Sequence, residues 1–235
     1  MSYTINLDEI DVDGAVREAA DEVSGDTRLS FLKKAGLAGG AAVSGGAILS
    51  VLAPSAMAAE KGRPPAKFGH GDIGILNYAL TLEYLEAAFY NGATAANMSL
   101  SPQAALFLKV VTTDENAHVA FLKKALGRKA VASPKFDFKG SNTNPATFMA
   151  TAQVLEDTGV HAYSGQALNI KSPAYVKAAL SILTIEARHA SVIGLLNEPG
   201  SGATGANIAP NGPFDTPLTA AQVLKAVTET GFITK

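Results

Sequence analysis

Apolar positions recur at helical spacing in four long stretches of the chain, and each stretch opens on a start signal. The first runs from residue 72 to about 91, with Asp72 as its expected N-cap and Leu76, Ala79, Leu80, Glu83, Ala87 and Tyr90 on one face. The second starts at Ser101-Pro102 and runs to about Leu126, before Gly127. Its expected inner face is Leu106, Val110 or Val111, Glu115, His118 and Leu122. The third starts at Asn144-Pro145 and runs to about Ile170, with Phe148, Ala152, Glu156, Gly159 and Tyr163 inward. The fourth starts at Ser172-Pro173 and runs to about Asn197, with Ala179, Ile182, Glu186, His189 and Ile193 inward. A capping box, Thr219-Ala-Ala-Gln222, opens a short last helix to about Glu229. Its apolar residues Leu218, Val223, Leu224 and Val227 either close one end of the bundle or meet a second subunit.

Residues 127–143 are too long and too rich in Gly, Pro and Asn for a tight hairpin. They read as the long crossover a bundle needs when its second and third helices are not antiparallel neighbours, with residues 134–138 lying extended along it. The expected fold is therefore all-α: a four-helix bundle with a long crossover between helices 2 and 3 and a short fifth C-terminal helix, spanning residues 72–235.

The N-terminal quarter follows a different pattern. Residues 1–26 are polar and acidic with weak periodicity, and read as disordered, with a short helix near 12–23. Arg28-Leu-Ser-Phe31-Leu-Lys-Lys34 then precedes an uncharged run, 35–59, rich in Ala, Gly, Leu and Val. The run closes on Pro54-Ser-Ala56-Met-Ala58, a small-x-small pattern suited to signal peptidase. Residues 27–58 resemble a twin-arginine export signal, with Leu29 standing where the second Arg belongs. The alternative is an uncleaved anchor, since the run is just long enough to cross a bilayer of roughly 30 Å. Either assignment places the protein outside the cytoplasm, periplasmic or extracellular, and the anchor would attach it to the membrane. Residues 59–71 read as a linker.

Composition narrows the chemistry. Cysteine is absent, which excludes disulfides and thiolate metal sites, and a net charge of −2 argues against nucleic acid as a partner. What remains is a repeat. Glu83 is followed seven residues later by Tyr90, and Glu156 by Tyr163. Each of these segments is followed, at a nearly equal interval, by Glu-x-x-His: Glu115-Asn-Ala-His118 and Glu186-Ala-Arg-His189. Residues three apart share a helix face, so a carboxylate and an imidazole of one motif can reach one ion. Two hairpins, each giving one Glu and one Glu-x-x-His, form the ligand inventory of a dinuclear site inside a four-helix bundle. Four buried carboxylates without a cation would be heavily penalised by desolvation and mutual repulsion. A carboxylate-rich set with one His per metal suits iron or manganese, two ions per chain. A single Glu-x-x-His is a common accident; a matched pair in register with a repeated Glu and Tyr is not.

Five further positions carry weaker signals. Glu86, one turn after Glu83, could replace or supplement it as a ligand. Asp114 either hydrogen-bonds a ligand His from outside or lies on solvated helix surface; its counterpart before Glu186 is Ile185, so such support is one-sided. Tyr90 and Tyr163 read as core packing rather than as groups near electron transfer. His161 reads as a packed or surface residue, and His70 lies in the linker and carries no signal.

At these residues the chain resembles the ferritin-like superfamily, and more narrowly the exported bacterial ferritin-like proteins related to desiccation-related proteins. The resemblance rests on the segment from Asp72 to Phe89-Tyr90, Asp114-Glu-x-x-His118, Leu155-Glu156, Glu186-Ala-Arg-His189 and the closing run from Pro217-Leu218 to Val227. It implies that Glu83 and Glu156 are terminal ligands, Glu115 and Glu186 bridging carboxylates, and His118 and His189 the nitrogen donors. It further implies redox chemistry on ferrous iron, dioxygen or peroxide in oxidative or desiccation stress. The alternative is a non-catalytic, stress-protective or metal-binding structural protein, and either form is compatible with a homo-oligomer.

Overall fold

The computed structural model describes residues 62–198, 209 and 214–234. The acidic segment, the export signal or anchor and the first residues of the linker lie outside this range. Among the described residues there are five α-helices: α1 (Gly71–Ala96), α2 (Pro102–Leu126), α3 (Pro145–Gln166), α4 (Pro173–Asn197) and α5 (Ala220–Thr230). Short connections join α1 to α2 and α3 to α4, so each pair packs as an antiparallel hairpin. The two hairpins close on each other through α1 against α3 and α2 against α4. The all-α bundle expected from the pattern is the fold observed.

Four starts form at the expected residues, Ser172-Pro173 among them, and three of these carry a side-chain cap. Ser101 accepts from the Ala104 amide and Asn144 from those of Ala146 and Thr147, each ahead of a proline at the first helical position. The Thr219–Gln222 capping box forms in full at α5. The start of α1 differs. Its N-cap is His70, whereas Asp72 lies inside the first turn and turns outward to a different helix. The Asp72 carboxylate accepts from the amides of Lys171 and Ser172 at 2.9 and 2.8 Å, holding the entrance of α4 against the start of α1. Ser172 itself makes no side-chain cap, because Asp72 has taken over the anchoring of that turn. At its other end α1 runs five residues past the expected stop, to Ala96, and closes on Asn97 in the left-handed region (φ 48°), which Asn tolerates. The third helix stops earlier than expected: after Gln166 it tightens into a 3₁₀ turn at Ala167–Asn169.

The crossover of residues 127–144 is pinned at three points. Asn77, buried on α1, donates to the carbonyls of Phe68 and Lys129 and accepts from the Val131 amide, at 2.9 to 3.0 Å. Asn142 donates to the Phe89 carbonyl. Strand β1 (Lys135–Phe136) pairs antiparallel with β2 (Ile233–Thr234), beyond α5. The extended stretch expected at 134–138 is thus half of a small ribbon that ties the crossover to the chain end.

Two apolar clusters sit on either side of the middle of the bundle. One is aromatic: Phe89 stacks on Phe148 and meets Tyr90 and Phe138 edge-on, Phe138 meets Phe232, and Tyr90 meets Phe107. Ala220, Val223 and Val227 of α5 are buried in it; α5 lies along α3, with the Leu218 amide on the His161 carbonyl ahead of its start and β2 paired to the crossover beyond its end. The other cluster gathers Leu76, Leu80, Leu122, Leu126, Tyr163 and Ile182. Residues 62–68 pack as well. Phe68 is buried, and the Gly62 carbonyl accepts from Gln166 Nε2 and the Ala220 amide.

One expected core position is not in the core. Leu106 is 62% exposed and Val110 46%, while Val111 is buried. The inner stripe of α2 is set by Phe107, Val111, Glu115, His118 and Leu122. Leu106 lies five residues before Val111, about 140° around the helix.

Candidate metal centre

Between the two clusters all four helices turn a carboxylate inward. Glu83, Glu115, Glu156 and Glu186 are each 0% exposed, and His118 and His189 are buried beside them. Each comes from the apolar face of its helix, so folding the stripes against one another brings the six to one level. They form two overlapping groups: Glu83, Glu115, His118 and Glu186, and Glu115, Glu156, Glu186 and His189. Within each group one oxygen or nitrogen per residue lies within 4.8 Å of the others. Glu115 and Glu186 belong to both groups.

Both imidazoles turn Nδ1 inward. His118 Nδ1 lies 3.2 Å from Glu83 Oε2 and 3.3 Å from both Glu115 Oε2 and Glu186 Oε1. His189 Nδ1 lies 3.1 Å from Glu156 Oε2 and 3.3 Å from Glu115 Oε1. A ring N–H serves one acceptor well, so three carboxylate oxygens around one nitrogen leave some unsatisfied. Glu83 Oε2, Glu115 Oε1 and both oxygens of Glu186 are buried without a hydrogen bond among the described residues. Buried carboxylate oxygens are normally paired. A set of them converging with two imidazole nitrogens is a cavity in need of positive charge, and hard divalent or trivalent cations fit those donors.

The electrostatics agree. Burial, reinforced by Glu115, pushes Glu83 up to about 8. Burial and the neighbouring carboxylates hold Glu186 well above the usual carboxylate range, and burial raises Glu156. Glu115 alone goes down: burial opposes its ionisation, but hydrogen bonds from His118 and His189 outweigh that and bring it to about 2. Both imidazoles are disfavoured as cations by burial yet pulled up by the carboxylates, His189 to about 11. Protons thus take the place of cations in the bare site.

Two tyrosines do more than fill space. Tyr90 of α1 donates its hydroxyl to Glu156 Oε1 of α3, and Tyr163 of α3 donates to Glu83 Oε1 of α1. The expectation of simple packing therefore missed their role. The seven-residue Glu-to-Tyr spacing was its trace, but the tyrosine serves the Glu of the opposite helix rather than its own. Asp114 resolves in favour of support: its Oδ2 lies 3.1 Å from His189 Nε2, across from α2 to α4. With Nε2–H held by Asp114, His189 would present Nδ1 as a lone-pair donor to a cation that displaces the second ring proton. Asp114 and His189 line the wall of an apolar groove of about 510 Å³ between α2 and α4, with Leu106, Val110 and Val192 among its other walls. The exposed residues of α2 therefore border the approach to the site. His70 caps α1 and His161 lies along α3; neither joins the two groups.

Residues 71–198 match the ferritin-like domain. The chain belongs to the ferritin-like family. That assignment covers all four central helices and every residue of the centre, while α5 and strand β2 lie beyond the matched span. No protein of curated function matches the sequence. The ferritin-like domain of this chain thus carries a buried carboxylate and histidine set compatible with metal.

Proposed function

We propose that this ferritin-like domain holds two iron or manganese ions and performs redox chemistry on ferrous iron, dioxygen or peroxide. The observation that carries the reading is the set of buried carboxylate oxygens without partners, gathered with two inward Nδ1 atoms into overlapping four-residue groups. Glu83 and His118 would hold one ion and Glu156 and His189 the other, with Glu115 and Glu186 shared. Such a pair, when bound, supplies one-electron couples and open coordination for a small oxidant.

The chain's own contributions follow from its contacts. Tyr90 and Tyr163 fix one oxygen of Glu156 and Glu83, leaving the other oxygen of each to face the centre. Asp114 fixes the tautomer of His189. The aromatic cluster, with Phe107 edge-on to the His189 ring, keeps bulk water from that side. The groove between α2 and α4 gives small solutes an approach to the Asp114–His189 edge. Residues 27–58 place the work outside the cytoplasm in this proposal, where an oxidative or desiccation stress role fits an exported ferritin-like domain.

Metal analysis after anaerobic reconstitution tests the reading. About two Fe or Mn per chain are expected, and less than one overturns it. A second reading, a metal-stabilised structural bundle without turnover, is favoured by the complete burial of all four glutamates. Exposing the iron-loaded protein to oxygen and then peroxide separates the two. A rate abolished by Glu115→Ala and His189→Ala supports the first, and no rate above free iron supports the second.

A further inference from the structure

The centre is built on an approximate two-fold relation. It exchanges Glu83 with Glu156, Tyr90 with Tyr163, Glu115 with Glu186 and His118 with His189, as the reciprocal tyrosine bonds show. The position one turn after the first Glu breaks it: Glu86 on α1 corresponds to Gly159 on α3. Both are buried. Glu86 stands one turn from Glu83 and one turn from Tyr90, whose hydroxyl marks the level of Glu156. It lies on α1 beside the two four-residue groups and is a member of neither.

Gly159 places Glu86 next to a carboxylate of the centre. A Cβ at that position would stand 2.5 Å from Glu186 Oε2 and 3.4 Å from Glu86 Oε1. The carboxylate of Glu186, the residue shared by both groups, thus occupies the space the missing side chain leaves, and a Glu86 oxygen borders the same space. No hydrogen bond or ion pair engages Glu86 among the described residues. Glu186, Glu115, Glu156 and Glu83, in that order, all act on it repulsively, on top of burial. A carboxylate with a packing role alone would be replaced at no loss by glutamine or leucine, either of which avoids the cost of a bare buried acid.

We infer that Glu86 is a further metal ligand, reaching the two-ion centre from α1 beside the Glu186 carboxylate. This rests on the two-ion reading above. It makes the centre unequal on its two sides and raises its carboxylates to five. Four balance two divalent ions, so the fifth favours a higher positive charge on the pair and tilts the site toward oxidised metal.

Cobalt(II) tests this without any turnover, because its visible bands strengthen as coordination number falls. Wild-type chain, Glu86→Gln and Glu86→Asp are titrated with Co²⁺, and the thermal stability of each metal-free form is recorded. The aspartate variant keeps the charge but shortens the reach by one methylene. The assignment expects about two Co²⁺ per wild-type chain. In both variants it expects more intense bands and a loss of about tenfold or more in affinity for at least one ion, at least the cost of losing a supporting group. It also expects opposite signs for Glu86→Gln: more stable than wild type without metal, less so with it. Variants that match wild type in spectrum and affinity overturn the Glu86 assignment alone. A wild-type chain that takes up no Co²⁺ overturns the two-ion reading and this one with it.

Discussion

Tyr90 and Tyr163 show how a side chain that reads as core can be part of a charged centre. Each buries a ring in an apolar cluster and delivers one hydroxyl to a carboxylate that has no other neutral donor. Tyr90→Phe leaves Glu156 Oε1 buried and unpaired, and the metal-free protein should lose about 1–3 kcal/mol in urea unfolding. Tyr163→Phe should do the same through Glu83. A loss below about 0.5 kcal/mol for both would show that the hydroxyls contribute nothing beyond packing. In the two-ion proposal Asp114 supports the ligand of one ion only, because the equivalent residue on α4 is Ile185. Asp114→Ala should therefore weaken one of the two ions by about 10–100-fold in a chelator competition and leave the other near its original affinity. Equal weakening of both would contradict a one-sided support.

At the level of elements, the helix starts were legible because their signals are local. Ser-Pro, Asn-Pro and Thr-x-x-Gln satisfy amides within one turn, and α2, α3 and α5 begin where those residues stand. Asp72 carries the same signal and serves a different helix, since its partners at Lys171 and Ser172 lie about a hundred residues away in sequence. Asp72→Ala should cost about 1–3 kcal/mol in thermal unfolding through the loss of two charge-assisted bonds. The same change in an isolated α1 peptide should cost little, which separates a tertiary clamp from a local cap. Leu106 illustrates the other limit. Apolar residues occupy several faces of α2, and only the partners of Glu115 and His118 decide which face turns inward.

For the whole molecule, the buried centre makes stability depend on pH in a definite sense. Glu83 rises from 4.5 in the unfolded chain to about 8 in the fold, so the fold keeps a proton that the unfolded chain releases. Stability from this group is present below pH 4.5 and lost as pH rises toward 8. His189, raised from 6.5 to about 11, works in the same direction: its contribution is full below 6.5 and fades as pH rises toward 11. Glu115 works oppositely, but its contribution is lost only as pH falls from 4.5 toward 2. The metal-free protein should therefore melt at a lower temperature at pH 8.5 than at pH 5.5, outside the acid-loss range. Saturating metal should flatten or reverse that trend, because ion binding requires the ligands deprotonated and strengthens with pH. A metal-free melting temperature that rises across this interval would contradict the proton-filled centre.

The sequence by itself determined the inward stripes apart from the first turns of α2, the long crossover, the capping box of α5 and the identity of the six residues that meet at mid-bundle. These follow from spacing along single helices, which fixes which residues share a face. Only the tertiary structure decided which atoms face each other across helices. The tyrosines serve the opposite glutamates, Asp114 supports His189, Asp72 clamps α4, and Gly159 makes room for Glu186. Each of these joins residues far apart in the chain, and periodicity along one helix carries no information about its rotation against the next.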